Sequence, residues 1–221
     1  MPKTVVIPVL NRVDLLKRCI DSIDYEIDTL IIINNGQETI GSFFNDFIKE
    51  TYILYMPTNL GVAASWNLGI KSTPYSDGWL FLNSDAWFNP GALKEYFSTV
   101  NHRNIQVVSE DVVLPPWCCA WVGADVVKSV GLFCEGFYPA YFEDWDYERR
   151  AVAKGFEVSI SSAKINHEPS STTKSNPNYN LLNLTTFASN RELYESRNEL
   201  SDAGHWSLQR RIELSWDERI I

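Results

Sequence analysis

The sequence has no apolar run approaching the ~18 residues a membrane-spanning helix needs, so no transmembrane segment is expected. It has only 3 histidines, 2 methionines and 4 cysteines in 221 residues. Cys19, Cys118, Cys119 and Cys134 lack paired zinc-ligand spacing, and adjacent cysteines rarely bridge each other; reduced thiols are expected. There is no phosphate loop and no G-x-G-x-x-G, so the common nucleotide folds gain no support. Positive charge is also short, with 19 Lys and Arg against 28 Asp and Glu, a net −9. That argues against bulk nucleic-acid binding, which depends on cationic side chains neutralising phosphates. A local pocket for a small phosphate ligand remains compatible with it. Met1-Pro2-Lys3-Thr4 runs straight into Val5-Val6-Ile7 without the parts of a secretory signal, so a cytoplasmic location is expected. No internal repeat or low-complexity tract is present.

What is present is an ordinary globular balance, 45% hydrophobic and 21% charged. Aromatics are plentiful at 13%, with 8 Trp, and such side chains fill a core or line a groove. The first hundred residues alternate strand-like and helix-like segments. Strands are expected over Thr4 to Pro8, Thr29 to Ile33, Tyr52 to Tyr55 and Trp79 to Leu82. Helices are expected over Val13 to Ile23, Ile40 to Ile48 and Gly61 to Ile70, and from Asn89-Pro90 to about Val100. Repeated β-α units imply a parallel sheet with helices on both faces. Ligands then sit at the carboxyl ends of the strands, where Asn11-Arg12, Asn34-Asn35 and Asn83-Ser84-Asp85 should converge.

The second half is less regular, with a break at Pro115-Pro116. Trp117 to Val122 and Phe156 to Ile160 read as strands, and Ala124 to Val130 and Glu143 to Lys154 as helices. Gly155 is a helix-stop signal. Ser170 to Asn180 reads as a loop, and one or two helices are expected beyond Leu181.

Several residues could carry chemistry. Asp85, at a strand's carboxyl end, can hold a divalent cation that bridges a diphosphate, or can cap the following turn. Glu143, Asp144 and Asp146 crowd three carboxylates into four positions, with Arg149 and Arg150 in helical reach. They suit a general base, or a capped, solvated helix start. His167 suits an open metal site or a structural role, while His102 and His205 have no comparable context. Asn59 to Asn67 opens a helix with small residues that let a ligand approach the backbone, and Trp66 within it could equally be core.

The order of these motifs resembles the inverting family 2 glycosyltransferases of GT-A fold, especially the rhamnosyltransferase-like and galactofuranosyltransferase-like branch. Val6-Ile7-Pro8-Val9-Leu10-Asn11-Arg12 resembles the family's V-I-P-x-Y-N-R opening, and Ile32-Ile33-Asn34-Asn35-Gly36 its V-V-D-N-G segment. Asn59-Leu60-Gly61 through Asn67-Leu68-Gly69-Ile70 is similar to N-L-G-x-A-x-x-x-N-x-G-I. Leu82-Asn83-Ser84-Asp85 resembles L-N-P-D, this branch's form of the D-x-D motif. Phe142-Glu143-Asp144-Trp145-Asp146 through Arg150 resembles F-E-D-x-D-x-x-x-R, and His167 falls at the family's metal-binding histidine.

The resemblance implies a metal-dependent inverting glycosyltransferase moving a single sugar from a nucleotide-diphospho-sugar to an acceptor hydroxyl. A glycan, a lipid-linked sugar, a protein or modified nucleic acid could supply that hydroxyl. Asp85 and His167 would hold Mn²⁺ or Mg²⁺, and Asp144 would deprotonate the acceptor. Glu143 and Asp146 would orient the acceptor or support the base, backed by Arg150. Pro8, Asn11, Arg12, Asn34, Asn67, Asn83 and Ser84 would contact the donor. Trp117, Trp121 and Trp145 would line the acceptor groove, with core packing the competing role for Trp117 and Trp121. Asn34 and Asn83 stand where the family pattern has aspartate. A Rossmann-like, mostly parallel sheet is expected in a catalytic domain over 1–180, split near 100 into donor and acceptor halves. A helical extension should follow over 181–221. A nucleotidyltransferase and an inactive carbohydrate-binding protein of this fold are the alternatives.

Overall fold

A computed structural model describes residues 3–108, 116–168 and 177–201. Pro115, His205, residues 169–176 of the expected loop and 202–221 of the expected extension lie outside the described residues. Seven strands form the central sheet in the order β3-β2-β1-β4-β7-β6-β8. They are β1 (Thr4–Val9), β2 (Ile27–Asn34), β3 (Ile48–Tyr55), β4 (Gly78–Leu82), β6 (Asn104–Val107), β7 (Cys119–Gly123) and β8 (Glu157–Ile160). All run parallel except β7, which is antiparallel to both β4 and β6. A separate ribbon pairs β5 (Ala86–Phe88) with β9 (Ile165–His167).

Strand alternation sorts the core into two layers. Val5, Ile7 and Val9 of β1 face one layer, with Leu16 and Ile20 of α1 (Val13–Asp21) and Leu93 and Tyr96 of α3 (Ala92–Phe97). Val6, Ile31 and Phe81 face the other, with Trp66 and Ile70 of α2 (Val62–Ser72), Val126 of α4 (Ala124–Val130) and Tyr147 of α5 (Glu143–Ala153). A Cβ on Gly69 would lie 2.5 Å from Val6 Cγ1, so α2 needs glycine there to sit against β1. The last helix, α6 (Pro177–Ser196), covers a third apolar group of Cys134, Phe137 and Phe142 with Leu193 and Tyr194.

Three expectations are corrected. Ile40 to Ile48 is not helical: both backbone polar groups of Ile40 bond the Tyr55 hydroxyl, and Asn45 Nδ2 donates to the Ile20 and Ile23 carbonyls. Those bonds replace the ones a helix would make. The helix after Asn89-Pro90 starts later, at Ala92, because Gly91 caps it at φ +81. Residues 177–180 are the first turn of α6 rather than loop, with Pro177 at the first helical position. The division expected at residue 180 therefore falls inside a helix. Short strands β5, β6 and β9 carried too few residues to show a period.

Candidate active site

Asp85 lies three residues past the end of β4 and directly before β5, and the β5–β9 ribbon brings His167 to it. Ala86 pairs with His167, and the Glu168 amide donates to the Asp85 carbonyl at 2.9 Å. Asp85 Oδ1 and His167 Nε2 are 3.2 Å apart, with side chains 11% and 6% exposed. One carboxylate and one imidazole suit Mn²⁺ or Mg²⁺ when other positions are left to phosphate and water oxygens. Among the described residues no cluster of three or more His, Cys, Asp or Glu could hold a metal by itself. The pair therefore fits an open site completed by a ligand.

The second group opens α5. Tyr141 (φ 79) and Phe142 (φ 76) are consecutive left-handed residues directly before Glu143 and Asp144. Such backbone costs energy and persists only where packing holds it. Phe142 is held by Tyr194 and Phe187, with ring centroids at 5.7 and 5.1 Å. Burial pushes the Asp144 carboxyl up to about 6, with the Glu148 charge adding, although the Trp145 amide donates to Oδ1 at 2.9 Å. Glu143 is pushed well above the usual carboxylate range, by burial first and the Asp144 charge second.

Both groups line one cavity of about 530 Å³. Pro8, Asn35, Asn83, Ser84, Asp85 and His167 bound it from the strand ends. Glu143, Asp144 and Trp145 of α5 close it, with Trp117. Trp117 is nevertheless buried and stacks on Trp66 at 5.8 Å, so it serves core and cavity together. Trp145 is 57% exposed. Cys118 also lines the cavity; all four cysteines are free and buried, and burial pushes its thiol up to about 12.

Other expected site residues stand elsewhere. Asn34 folds into its own turn, accepting from the Gly36 amide and donating to the Glu38 carbonyl; its neighbour Asn35 lines the cavity instead. Asn67 bonds the Phe133 backbone and Glu135. Asn11 and Arg12 lie after β1, outside the lining, and Arg12 pairs with Asp14 at 2.8 Å and Glu168 at 3.4 Å. Trp121 is a core residue on the opposite sheet face, with Nε1 donating to the Asn101 carbonyl and its ring 5.9 Å from Phe97. The two tryptophans are four positions apart and would share a face on one strand, but Trp117 sits in a 3-10 turn before β7. Asp146 is fully buried and bonded to Arg150 (2.9 Å) and Arg197 (2.7 Å), away from the lining. Arg150 also holds the Val130 and Leu132 carbonyls.

Sequence reasoning missed the lining residues of α6: Tyr179, Asn183 and Phe187. Their i, i+4, i+8 spacing puts them on one helical face, which was the available signal.

Residues 4–112 match the family model described as Glycosyl transferase family 2. That span carries β1 to β6 and Asp85. Solved structures share the GT-A architecture at low identity. The mannosyltransferase PcManGT from Pyrobaculum calidifontis, in complex with GDP-Man and Mn²⁺, matches with TM-score 0.56 and 10% identity, over 72% of this chain and 54% of that one. TarS from S. aureus, in complex with UDP-GlcNAc, matches at 0.55 and 13%, over 74% and 57%. GalNAc-T7 with UDP, GalNAc and Mn²⁺ matches at 0.60 and 9%, over 76% and 44%. This chain thus spans about half the length of these structures. No curated protein sequence matches it. Among the described residues no helix is long and apolar enough to cross a membrane.

Proposed function

We propose that this chain is a metal-dependent inverting glycosyltransferase that moves one sugar from a nucleotide-diphospho-sugar to an acceptor hydroxyl. One observation carries the reading: the Asp85–His167 pair and the Asp144 carboxylate line a single cavity at the carboxyl ends of parallel strands. The forms Asn83-Ser84-Asp85 and Glu143-Asp144 support the rhamnosyltransferase-like and galactofuranosyltransferase-like branch.

Asp85 and His167 would hold Mn²⁺ or Mg²⁺. When bound, the cation offsets charge on the departing diphosphate. Asp144, with its carboxyl near 6, is roughly nine-tenths ionised at pH 7 and still basic enough to accept a proton. The acceptor O–H proton passes to that carboxylate as the oxygen attacks the anomeric carbon. The bond to the diphosphate oxygen breaks on the opposite face, and the anomeric configuration inverts. Trp117 and Trp145 line the cavity and would contact the acceptor, with the exposed ring of Trp145 the better placed to stack on it.

Incubating the protein with Mn²⁺ and a panel of nucleotide sugars tests this. Nucleoside diphosphate should be released from one donor, with loss on chelation. Absence of release from every donor, with folded protein, would overturn the reading.

A further inference from the structure

Two polar side chains on the cavity wall are buried yet incompletely bonded. Glu143 and Asn183 are each 5% exposed, and Glu143 Oε2 and Asn183 Oδ1 have no hydrogen-bond partner. Both residues line the cavity. A buried acceptor without a partner destabilises a fold, so each such atom needs an explanation. Asn190 provides a contrast on the same face of α6, two turns later. It is equally enclosed, but its Nδ2 donates to the Tyr138 and Ala140 carbonyls. Asn190 fastens the helix; Asn183 has no such work for its oxygen.

The surroundings define what would satisfy these atoms. Trp66 Nε1, a donor on the same cavity, is also buried and unpartnered. Hydroxyl groups donate and accept, so a polyol meets both polarities. Tyr141, Trp145 and Phe187 border the same space with partly exposed rings, which suit the apolar face of a sugar. An anionic headgroup or phosphodiester would instead bring more acceptors, and charge, against the Asp144 carboxylate. Burial raises the Glu143 carboxyl well above the usual carboxylate range, which weakens its attraction for an ammonium group.

We infer that Glu143 and Asn183 read hydroxyl groups of a neutral sugar ring in the acceptor, so that the acceptor is a carbohydrate and α6 supplies its recognition. This rests on the glycosyltransferase reading above. The test uses the full chain with Mn²⁺ and the nucleotide sugar from which it releases nucleoside diphosphate. Methyl glycosides of common hexoses and pentoses are offered as acceptors, beside a Ser/Thr peptide and anionic lipid vesicles.

At least one methyl glycoside should accelerate release and appear as a glycosylated product. For that glycoside, Asn183→Ala should raise the acceptor KM about tenfold and leave the donor KM unchanged. Its Tm should equal or exceed the parent's, because the truncation removes a buried acceptor that has no partner, whereas Asn190→Ala should lower Tm. Acceleration by the peptide or the vesicles but by no glycoside would overturn the inference. So would an unchanged acceptor KM in Asn183→Ala, or a Tm loss matching that of Asn190→Ala. If no donor releases nucleoside diphosphate, the glycosyltransferase reading falls and takes the inference with it; release without a glycoside response sinks the inference alone.

Discussion

Asp144 ties function to stability through one ionisation. Its carboxyl sits near 6 chiefly because burial disfavours the charge. As the base, it should make kcat fall about tenfold per pH unit below 6, measured with saturating donor and acceptor. Asp144→Asn should lower kcat roughly 10²- to 10⁴-fold, the usual range for general-base loss. The stability effect has the opposite sign. A carboxyl raised in the folded state stabilises the fold while protonated, and that contribution is lost as pH rises from its ordinary range through about 6. Asp144→Asn should therefore be more stable than the parent at pH 7.5, by at most about 3 kcal/mol, with the gap closing towards pH 4. Thermal melts across pH check it; a gap that widens in acid would contradict the assignment.

Between elements, the clamp joining α5 to α6 is the exposed weakness. Asp146 is fully buried and bonds Arg150 of α5 and Arg197 just beyond α6, with Arg149 at 3.5 Å. Arg197 and Tyr194 in turn hold α6 over the turn that carries Glu143 and Asp144. Asp146→Ala leaves buried guanidinium groups without their carboxylate and should cost about 3–5 kcal/mol in urea unfolding. Carboxylate crowding in Glu143-Asp144-Trp145-Asp146 was plain in the sequence, but the split of labour was not. On a helix, Glu143 and Asp144 turn toward the cavity while Asp146 turns toward Arg150. The partner at Arg197 lies 51 positions away, beyond any local pattern.

Across the whole molecule, the net charge of −9 opposes an anionic donor unless a cation intervenes. Nucleoside diphosphate affinity should therefore be at least about tenfold weaker without Mn²⁺. Asp85→Ala should remove most of that difference, as read by calorimetry; an unchanged Mn²⁺ effect would contradict the role given to Asp85. Chain topology places that site. Parallel β1 and β2 end together at the Val9–Asn34 pair, β4 ends beside Ile7 near the same edge, and the β5–β9 ribbon returns His167 there.

By itself the sequence determined the β-α alternation except between β2 and β3, the mostly parallel sheet and the strand-end positions of Asp85 and Asn83. These follow from side-chain periods of 2 and 3.6, which are local properties of the chain. The tertiary structure alone decided that Asn35 rather than Asn34 meets the cavity, because the Gly36 turn consumes the Asn34 amide. It also decided that Trp121 is core and Trp117 reaches the cavity, through a 3-10 turn that breaks the strand period. Only packing brought Asn183 of α6 and Glu143 of α5 to the same cavity. Which side chains share a cavity depends on how distant elements dock, and no local period encodes that.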